Sequence, residues 1–313
     1  MAQTTNGGAD SSRRLGLRIW KHRAYYVLML PAIIYVLIFC YAPMYGLQIA
    51  FKDYKGALGI VGSPWCGMKH FMSFFKSYNF TLLMRNTIVL SLYSLIAGFP
   101  MPIIIALLLN ETKGRFKRAS QTILYAPHFL STVVVVGMIN TMLSPSFGVV
   151  NTIIEALGGE RIYFMTMPGA FRHLYVWSGV WQGMGWGAII YLAALAAVDP
   201  ELHEAATIDG ASRIQRIRYI NIPTIVPTII ILLIMRMGSL VSVGYEKVYL
   251  LQNAMNLNAS EVINTYVYKQ GLTSGLPQYS YATAIGLFVS VVNMIILLIV
   301  NRASNLVTGN SLW

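Results

Sequence analysis

Taken as a pattern of apolar and polar positions, the chain alternates between long apolar blocks and short polar interruptions. Apolar residues dominate 24–50, 81–109, 121–143, 171–198, 222–245 and 279–301. Each block is roughly 20 residues or longer, enough for a helix rising ~1.5 Å per residue to cross a ~30 Å hydrocarbon core. The pattern predicts an all-α, polytopic membrane protein with six transmembrane helices. Pro31, Pro43, Pro100, Pro102, Pro223 and Pro227 lie in or at the ends of these blocks. Neighbouring helices can satisfy the carbonyls that proline frees, so kinks are expected there.

Composition sharpens this picture. Of 313 residues, 56% are hydrophobic and 11% charged, against ~25% charged in an ordinary soluble domain. That excludes a soluble globular protein. The net charge of +12 sits in short segments beside apolar blocks, not on one interleaved basic and aromatic face, so nucleic acid is not an expected partner. Cys40 and Cys66 lack metal-ligand spacing, and no metal site is expected.

Residues 1–23 read as a tail, small and polar up to residue 12 and then basic, with Arg13, Arg14, Arg18, Lys21 and Arg23. The apolar run behind it is too long for a signal-peptide core and reads as a retained first span. Residues 24–303 then form the transmembrane domain, with a second tail at 304–313. Lys and Arg number 13 on the side shared by the first tail, the 110–120 and 199–221 loops and Arg302, and 8 on the other side. The bias places both termini and the 199–221 loop in the cytoplasm. The loops at 51–80, 144–170 and 246–278 then face outward, rich in the aromatic residues and glycines of an outer mouth.

Enzyme signatures fail on inspection. His203-Glu204-Ala205-Ala206-Thr207 starts like a zincin helix but has Thr where the second imidazole belongs. Gly183-Met184-Gly185-Trp186-Gly187 has no preceding strand and reads as close helix packing. No Gly-Lys-Ser/Thr occurs, so the chain has no P-loop and any ATP is bound by another subunit.

The 199–221 loop is the richest polar stretch. Asp199-Pro200 is a helix start, with a carboxylate N-cap and proline in the first turn. Leu202, Ala205, Ala206 and Ile208 give a small apolar face, beside the charges of Glu201, Glu204 and Asp209. Gly210 permits a bend, and Ser212 caps a second short helix carrying Arg213, Arg216 and Arg218 before Pro223 opens the next span. A solvated connector is the plain alternative, but paired alanines leave no bulk where a partner groove would close.

At these residues the chain resembles the permease subunits of binding-protein-dependent ABC importers. Their cytoplasmic loop reads Glu-Ala-Ala, three residues, Gly, nine residues, Ile, one residue, Leu, Pro. Here Glu204-Ala205-Ala206, Gly210, Ile220 and Pro223 stand at those spacings, with Ile222 in place of Leu. The N-terminal half is similar to the LplB-like, oligo- and polysaccharide branch through Tyr25–Pro31, Ala42–Gly46, Ala50–Tyr54 and Gly62–Trp65. The resemblance implies a coupling helix seated on a cytoplasmic ATPase, with Glu204 and Asp209 near the contact. It also implies a second, non-identical permease subunit, two ATPases that bind ATP and Mg, and an extracytoplasmic solute-binding protein, in a bacterial plasma membrane.

For a sugar path, aromatic faces and polar groups must meet in a cavity. Trp177 and Trp181 lie one turn apart, and Gln182 and Trp186 form a second pair on the adjacent face. An interfacial belt or packing competes with a lining role for them. Arg236 is the full charge deepest in the fifth block, and must face protein, water or substrate; a uronate would counter it. Tyr245 and Glu246, with Lys247 and Tyr249, end that block as a gate or an ordinary interfacial end. Arg85 is near a span end and can snorkel, and Tyr191 and Asn293 are expected to make helix–helix hydrogen bonds. The reading is the permease subunit of an ATP-driven importer of an oligosaccharide. Import of a peptide or anion by the same architecture, and a stand-alone channel or carrier, are the alternatives.

Overall fold

The computed structural model describes residues 21–313 and divides the chain into two compact units, Met1–Gly67 and Met68–Trp313. The described part of the first unit is built on α1 (Arg23–Phe51). Its backbone widens to a π turn at Val36–Tyr41, just ahead of Pro43. The wider turn makes room for the proline ring where the Phe39 carbonyl would otherwise clash. Beyond the helix, the Lys52 ammonium donates to the Ile60 carbonyl at 2.7 Å and lies 5.0 Å from the Trp65 ring centre.

All regular secondary structure among the second unit's described residues is helical. Its main elements are α2 (Phe80–Asn110), α3 (Gly114–Phe129), α4 (Thr132–Met142), α5 (Val149–Ala156) and α6 (Pro168–Leu195). They are followed by α7 (Pro200–Ile208), α8 (Arg213–Met237), α9 (Tyr245–Leu251) and α10 (Tyr279–Thr308). By length and apolarity, α1, α2, α8 and α10 each suffice to cross a membrane, and the bent pairs α3–α4 and α6–α7 bring the number to six.

Three expected boundaries move. The block at 121–143 is broken by 98° between α3 and α4, because Pro127 closes one helix and the Ser131 hydroxyl caps the next by accepting from Val134 N–H. The block at 222–245 ends its helix at Met237, and Tyr245 opens α9 after a non-helical stretch. The last helix runs on through Thr308, into the segment read as a tail.

Helix α6 is the axis of the unit. One of its faces packs Ala188, Tyr191 and Leu195 against Ala106 of α2 and Ile225 of α8. Its N-terminal half packs Phe171, Val176 and Val180 with Leu90 of α2, Val136 of α4 and Val248 and Leu251 of α9. A third cluster joins Phe74 and Leu83 to Tyr281, Ile285 and Val289 of α10. Close packing is possible because α6 carries glycine at the crossings. A Cβ at Gly185 would collide with the Leu124 carbonyl of α3, and one at Gly187 would lie 3.0 Å from Pro102 of α2. Gly183 has open space where its Cβ would be, so the glycine cluster splits into packing positions and one free position.

The non-helical stretch after α8 is held by Asn293 of α10. Its carbonyl oxygen accepts from Val241 N–H at 2.9 Å, and its amide donates to Ser242 Oγ at 2.8 Å. The Val241 N–H is buried, so the Asn293 carbonyl oxygen is a fixed partner for backbone that the helix has released.

Two outcomes are expected. Gly185→Ala should prevent detergent-solubilised protein from eluting as a monodisperse peak, whereas Gly183→Ala should leave elution unchanged. Asn293→Leu should lower stability by about 1–2 kcal/mol through loss of its two hydrogen bonds, one of them fully buried, read as a drop in thermal midpoint.

Candidate functional site: a cationic cavity and an exposed loop

Where α2, α6 and the end of α8 diverge, they leave a cavity of about 610 Å³. Its walls carry Ser91 and Ser94 from α2, Tyr175, Gln182 and Tyr191 from α6, Arg236 from α8, Ser239 and Ser242 from the non-helical stretch, and Lys247 from α9. Among the described residues no aspartate or glutamate lines it. Glycines 179, 183 and 187 provide its floor along α6, and a Cβ at Gly179 would lie 3.5 Å from the Lys247 ammonium. The break after Met237 therefore serves a purpose: it turns the chain so that α9 returns Lys247 to a wall that Arg236 already faces.

The two cations are held without carboxylates. Lys247 Nζ lies 5.4 Å from the Tyr175 ring centre, and Arg236 is within electrostatic reach of the same residue. Burial pushes the Lys247 ammonium down to about 8, so it remains a cation at neutral pH and loses its proton as pH rises through that value. Ser91, 7% exposed, and Ser94 each direct a buried hydroxyl oxygen that has no hydrogen-bond partner.

Of the aromatic and polar residues singled out for a path, Gln182 and Arg236 reach the cavity; the others are placed around it. Gln182 also donates to the Leu130 carbonyl at 2.7 Å, satisfying backbone freed at the α3–α4 break. Trp177 donates to the Tyr93 hydroxyl at 2.8 Å, and that hydroxyl is 2.8 Å from His173 Nδ1. Trp186 stacks on His128, with centres 4.5 Å apart and planes 4° from parallel. Trp181 is 39% exposed and is not among the cavity's lining residues. Tyr245 stacks on Tyr268 at 5.0 Å, with Tyr249 edge-on to the same ring, and Glu246 is exposed beside them. Sequence spacing did not single out Ser91, Ser94, Tyr175 or Ser239 as lining residues; each is an ordinary polar residue until the helices that carry it are set side by side.

At the far end of α6 the loop forms as a helix, a bend and a second helix, with one change. Asp199 Oδ1 accepts from Glu201 N–H at 3.0 Å. Helix α7 ends in a Schellman turn, with Ala211 N–H donating to the Ala206 carbonyl at 2.8 Å and Gly210 N–H to Thr207 at 3.1 Å. Gly210 sits there at φ +77°, a left-handed conformation costly for other residues. Ser212 and Gln215 close a reciprocal capping box. The second helix is not a short separate piece. Arg213 opens a rod that continues through a π turn at Ile217–Asn221, past Pro223, to Met237. The π turn relieves the clash of Pro223 with the Tyr219 carbonyl, as its counterpart does ahead of Pro43.

Arg216 ties the loop to the spans. Its guanidinium donates to Thr207 Oγ1 at 2.8 Å and stands 4.0 Å from the Glu111 carboxylate at the end of α2. Glu204, Ala205, Asp209, Gly210 and Arg213 are exposed, as are Leu202, at 55%, and Ile208, at 86%. Exposed leucine and isoleucine beside small alanines form a surface with no cover among the described residues.

Comparison with known proteins agrees with this architecture. Residues 98–307 match the family described as the binding-protein-dependent transport system inner membrane component. The polygalacturonan/rhamnogalacturonan transport system permease protein YteP of Bacillus subtilis is 44% identical over 294 residues, covering 94% of this chain and 91% of that protein. Protein LplB of the same organism is 46% identical over 273 residues, covering 87% of this chain and 85% of its own. A chain from the crystal structure of a bacterial alginate ABC transporter, in complex with an alginate pentasaccharide-bound periplasmic protein, superposes with a TM-score of 0.86 at 42% identity. That match covers 96% of this chain and 100% of the other. The chain belongs to the family of binding-protein-dependent transport system inner membrane components, and is a multi-pass membrane permease.

Proposed function

We propose that this chain is the transmembrane permease subunit of an ATP-driven ABC importer for an oligosaccharide or polysaccharide fragment, and forms half of its translocation path. The observation that carries the reading is one helix with two ends: α6 lines the polar cavity and leads, through Asp199, into the exposed loop. Saccharide as the substrate class is supported by the relatives, which are named for polygalacturonan, rhamnogalacturonan and alginate transport. A cavity of about 610 Å³ with hydroxyl, amide and phenol groups on its walls suits a hydroxylated guest.

In this reading α7 docks in a cleft of a cytoplasmic ATPase. Leu202, Ala205, Ala206 and Ile208 make the apolar contact, Glu204, Asp209 and Arg213 the polar one, and Gly210 the turn that lets both helices approach. ATP and Mg belong to the two ATPase subunits, since this chain has no phosphate-cradling loop. A second, homologous permease completes the path, an extracytoplasmic binding protein delivers the substrate, and both termini face the cytoplasm. Arg216 makes the loop move as one body with α8 and with the end of α2 near Glu111.

The test is assembly and turnover of the reconstituted complex. Gly210→Val strains the left-handed turn by about 1–2 kcal/mol and is expected to reduce substrate-stimulated ATP hydrolysis about tenfold. Glu204→Lys should weaken co-purification of the ATPases. Retention of full assembly and full stimulation by both variants would end the coupling role of this loop. Arg216→Ala should leave assembly intact while lowering the substrate imported per ATP hydrolysed; an unchanged ratio would remove its linking role.

A further inference from the structure

We infer that the opening of α3 is a binding site for the headgroup of an anionic phospholipid, where Lys113, Arg115, Lys117 and Arg118 meet the phosphate and Phe116 and Ile123 enter the acyl layer beside it. This goes beyond import and needs only that the chain lies in a membrane.

Positive charge is concentrated at this corner and is unanswered by the protein. Four cations occur within residues 113–118, and residues 119–154 then contain no Lys, Arg, Asp or Glu. Lys113, Arg115 and Arg118 are exposed and Lys117 is half-buried, and none of the four forms an ion pair among the described residues. Glu111, the acid nearest in sequence, stands 4.0 Å from Arg216 instead. That contact also fixes where the cations lie: they begin two residues beyond Glu111, between the end of α2 and the start of α3, beside the 199–221 loop. Like charges so close together repel, and an anion among them stabilises the arrangement.

The helix sorts its exposed residues into two adjoining sides. At ~100° per residue, Ser120, Gln121, Leu124 and Tyr125 share the half-buried side, on which the Leu124 carbonyl meets Gly185 of α6. Arg115, Arg118 and Thr122 share an exposed basic side. Phe116, Ala119 and Ile123 share an exposed apolar side, with Phe116 at 69% and Ile123 at 72% exposure. A basic strip next to an apolar one is the arrangement of a helix that meets lipid at the headgroup boundary.

The apolar side does not stop with α3. Phe129 is 74% exposed, and Val133 and Val134 of α4 are 58% and 48% exposed, so apolar surface continues from Phe116 into the second half of the same bent span. Free phosphate would neutralise the cations and leave Phe116 and Ile123 facing water. The acidic face of a soluble protein would do the same for the cations, but it would have to cover surface that runs on into the membrane. A phospholipid supplies a phosphate and an acyl chain at the separation that the two sides require. The arginines offer flat forks for two-point contact with phosphate oxygens, and the lysines add point charges on flexible stems. Because Leu124 packs on Gly185, a lipid held there gives the corner of α2 and α3 a footing beside the loop.

The test uses the full-length chain carrying Cys40→Ser, Cys66→Ser and Ala119→Cys, with a fluorophore on the new thiol. It is reconstituted in phosphatidylcholine bilayers that hold a small, equal fraction of brominated phosphatidylglycerol or brominated phosphatidylcholine, and quenching by the two is compared. The anionic lipid is expected to be favoured about tenfold at the label, and the preference should fall towards parity in about 0.5 M salt. Arg115→Gln combined with Arg118→Gln should lower the preference at least about fivefold, whereas Arg115→Lys combined with Arg118→Lys should keep most of it. Equal quenching by the two lipids, or an unchanged preference in the Gln pair, overturns the site. Loss of quenching when the ATPases are bound also overturns it and assigns the surface to them. The measurement uses neither ATP turnover nor substrate, so its failure leaves the import reading standing, and failure of that reading leaves this result standing.

Discussion

A helix that stops inside a membrane protein must have its released backbone groups satisfied from within, and the structure depends on how that is done after Met237. Asn293, on the last long helix, accepts from Val241 N–H and donates to Ser242 Oγ, and Asn264 donates to the Val243 carbonyl. With those bonds in place the chain can leave the helix, cross the cavity wall and return as α9. Without them α8 would have reason to continue, and Lys247 would be carried away from the wall that Arg236 faces. The site thus rests in part on an amide 57 residues beyond Arg236 in sequence, which is not itself on the cavity wall but bonds to Ser242, which is.

The same logic governs the other irregularities. Gln182 bonds to the Leu130 carbonyl where α3 bends into α4, and so does two things at once, closing a backbone vacancy and lining the cavity. Proline is accommodated twice by a local π widening, before Pro43 and before Pro223, and in neither case does the rod end. At the two helix breaks, after Phe129 and after Met237, side chains from other elements answer the released backbone.

How much of this was legible beforehand depended on whether the signals were local. The apolar blocks announced the helices because length and hydropathy are properties of the block itself. The loop was legible for a similar reason: Asp199, Gly210 and the Ser212–Gln215 pair act within one turn of their own positions, and all three do what their residue types favour. The loop's second helix was misjudged because Pro223 reads as a start, while the π turn that lets it sit inside a longer rod leaves no mark in composition. The break after Met237 was hidden because the groups that answer it, on Asn293 and Asn264, come from distant parts of the sequence. The tryptophans show a further limit. Helical spacing put Trp177 and Trp181 on one face, but only the neighbours decide which face meets the cavity, and Tyr93 and His173 claim Trp177 for themselves.

The unbroken course of α8 has a mechanical consequence. From Arg213 to Arg236 the rod spans 23 residues, or about 35 Å at ~1.5 Å per residue. The loop and the cavity are therefore the two ends of one stiff element, and a tilt of only about 5° imposed at one end displaces the other by roughly 3 Å. That is about the length of a hydrogen bond. An angular change too small to disturb the packing around α6 is still enough to bring the Arg236 fork into reach of a ligand atom, or to take it out of reach.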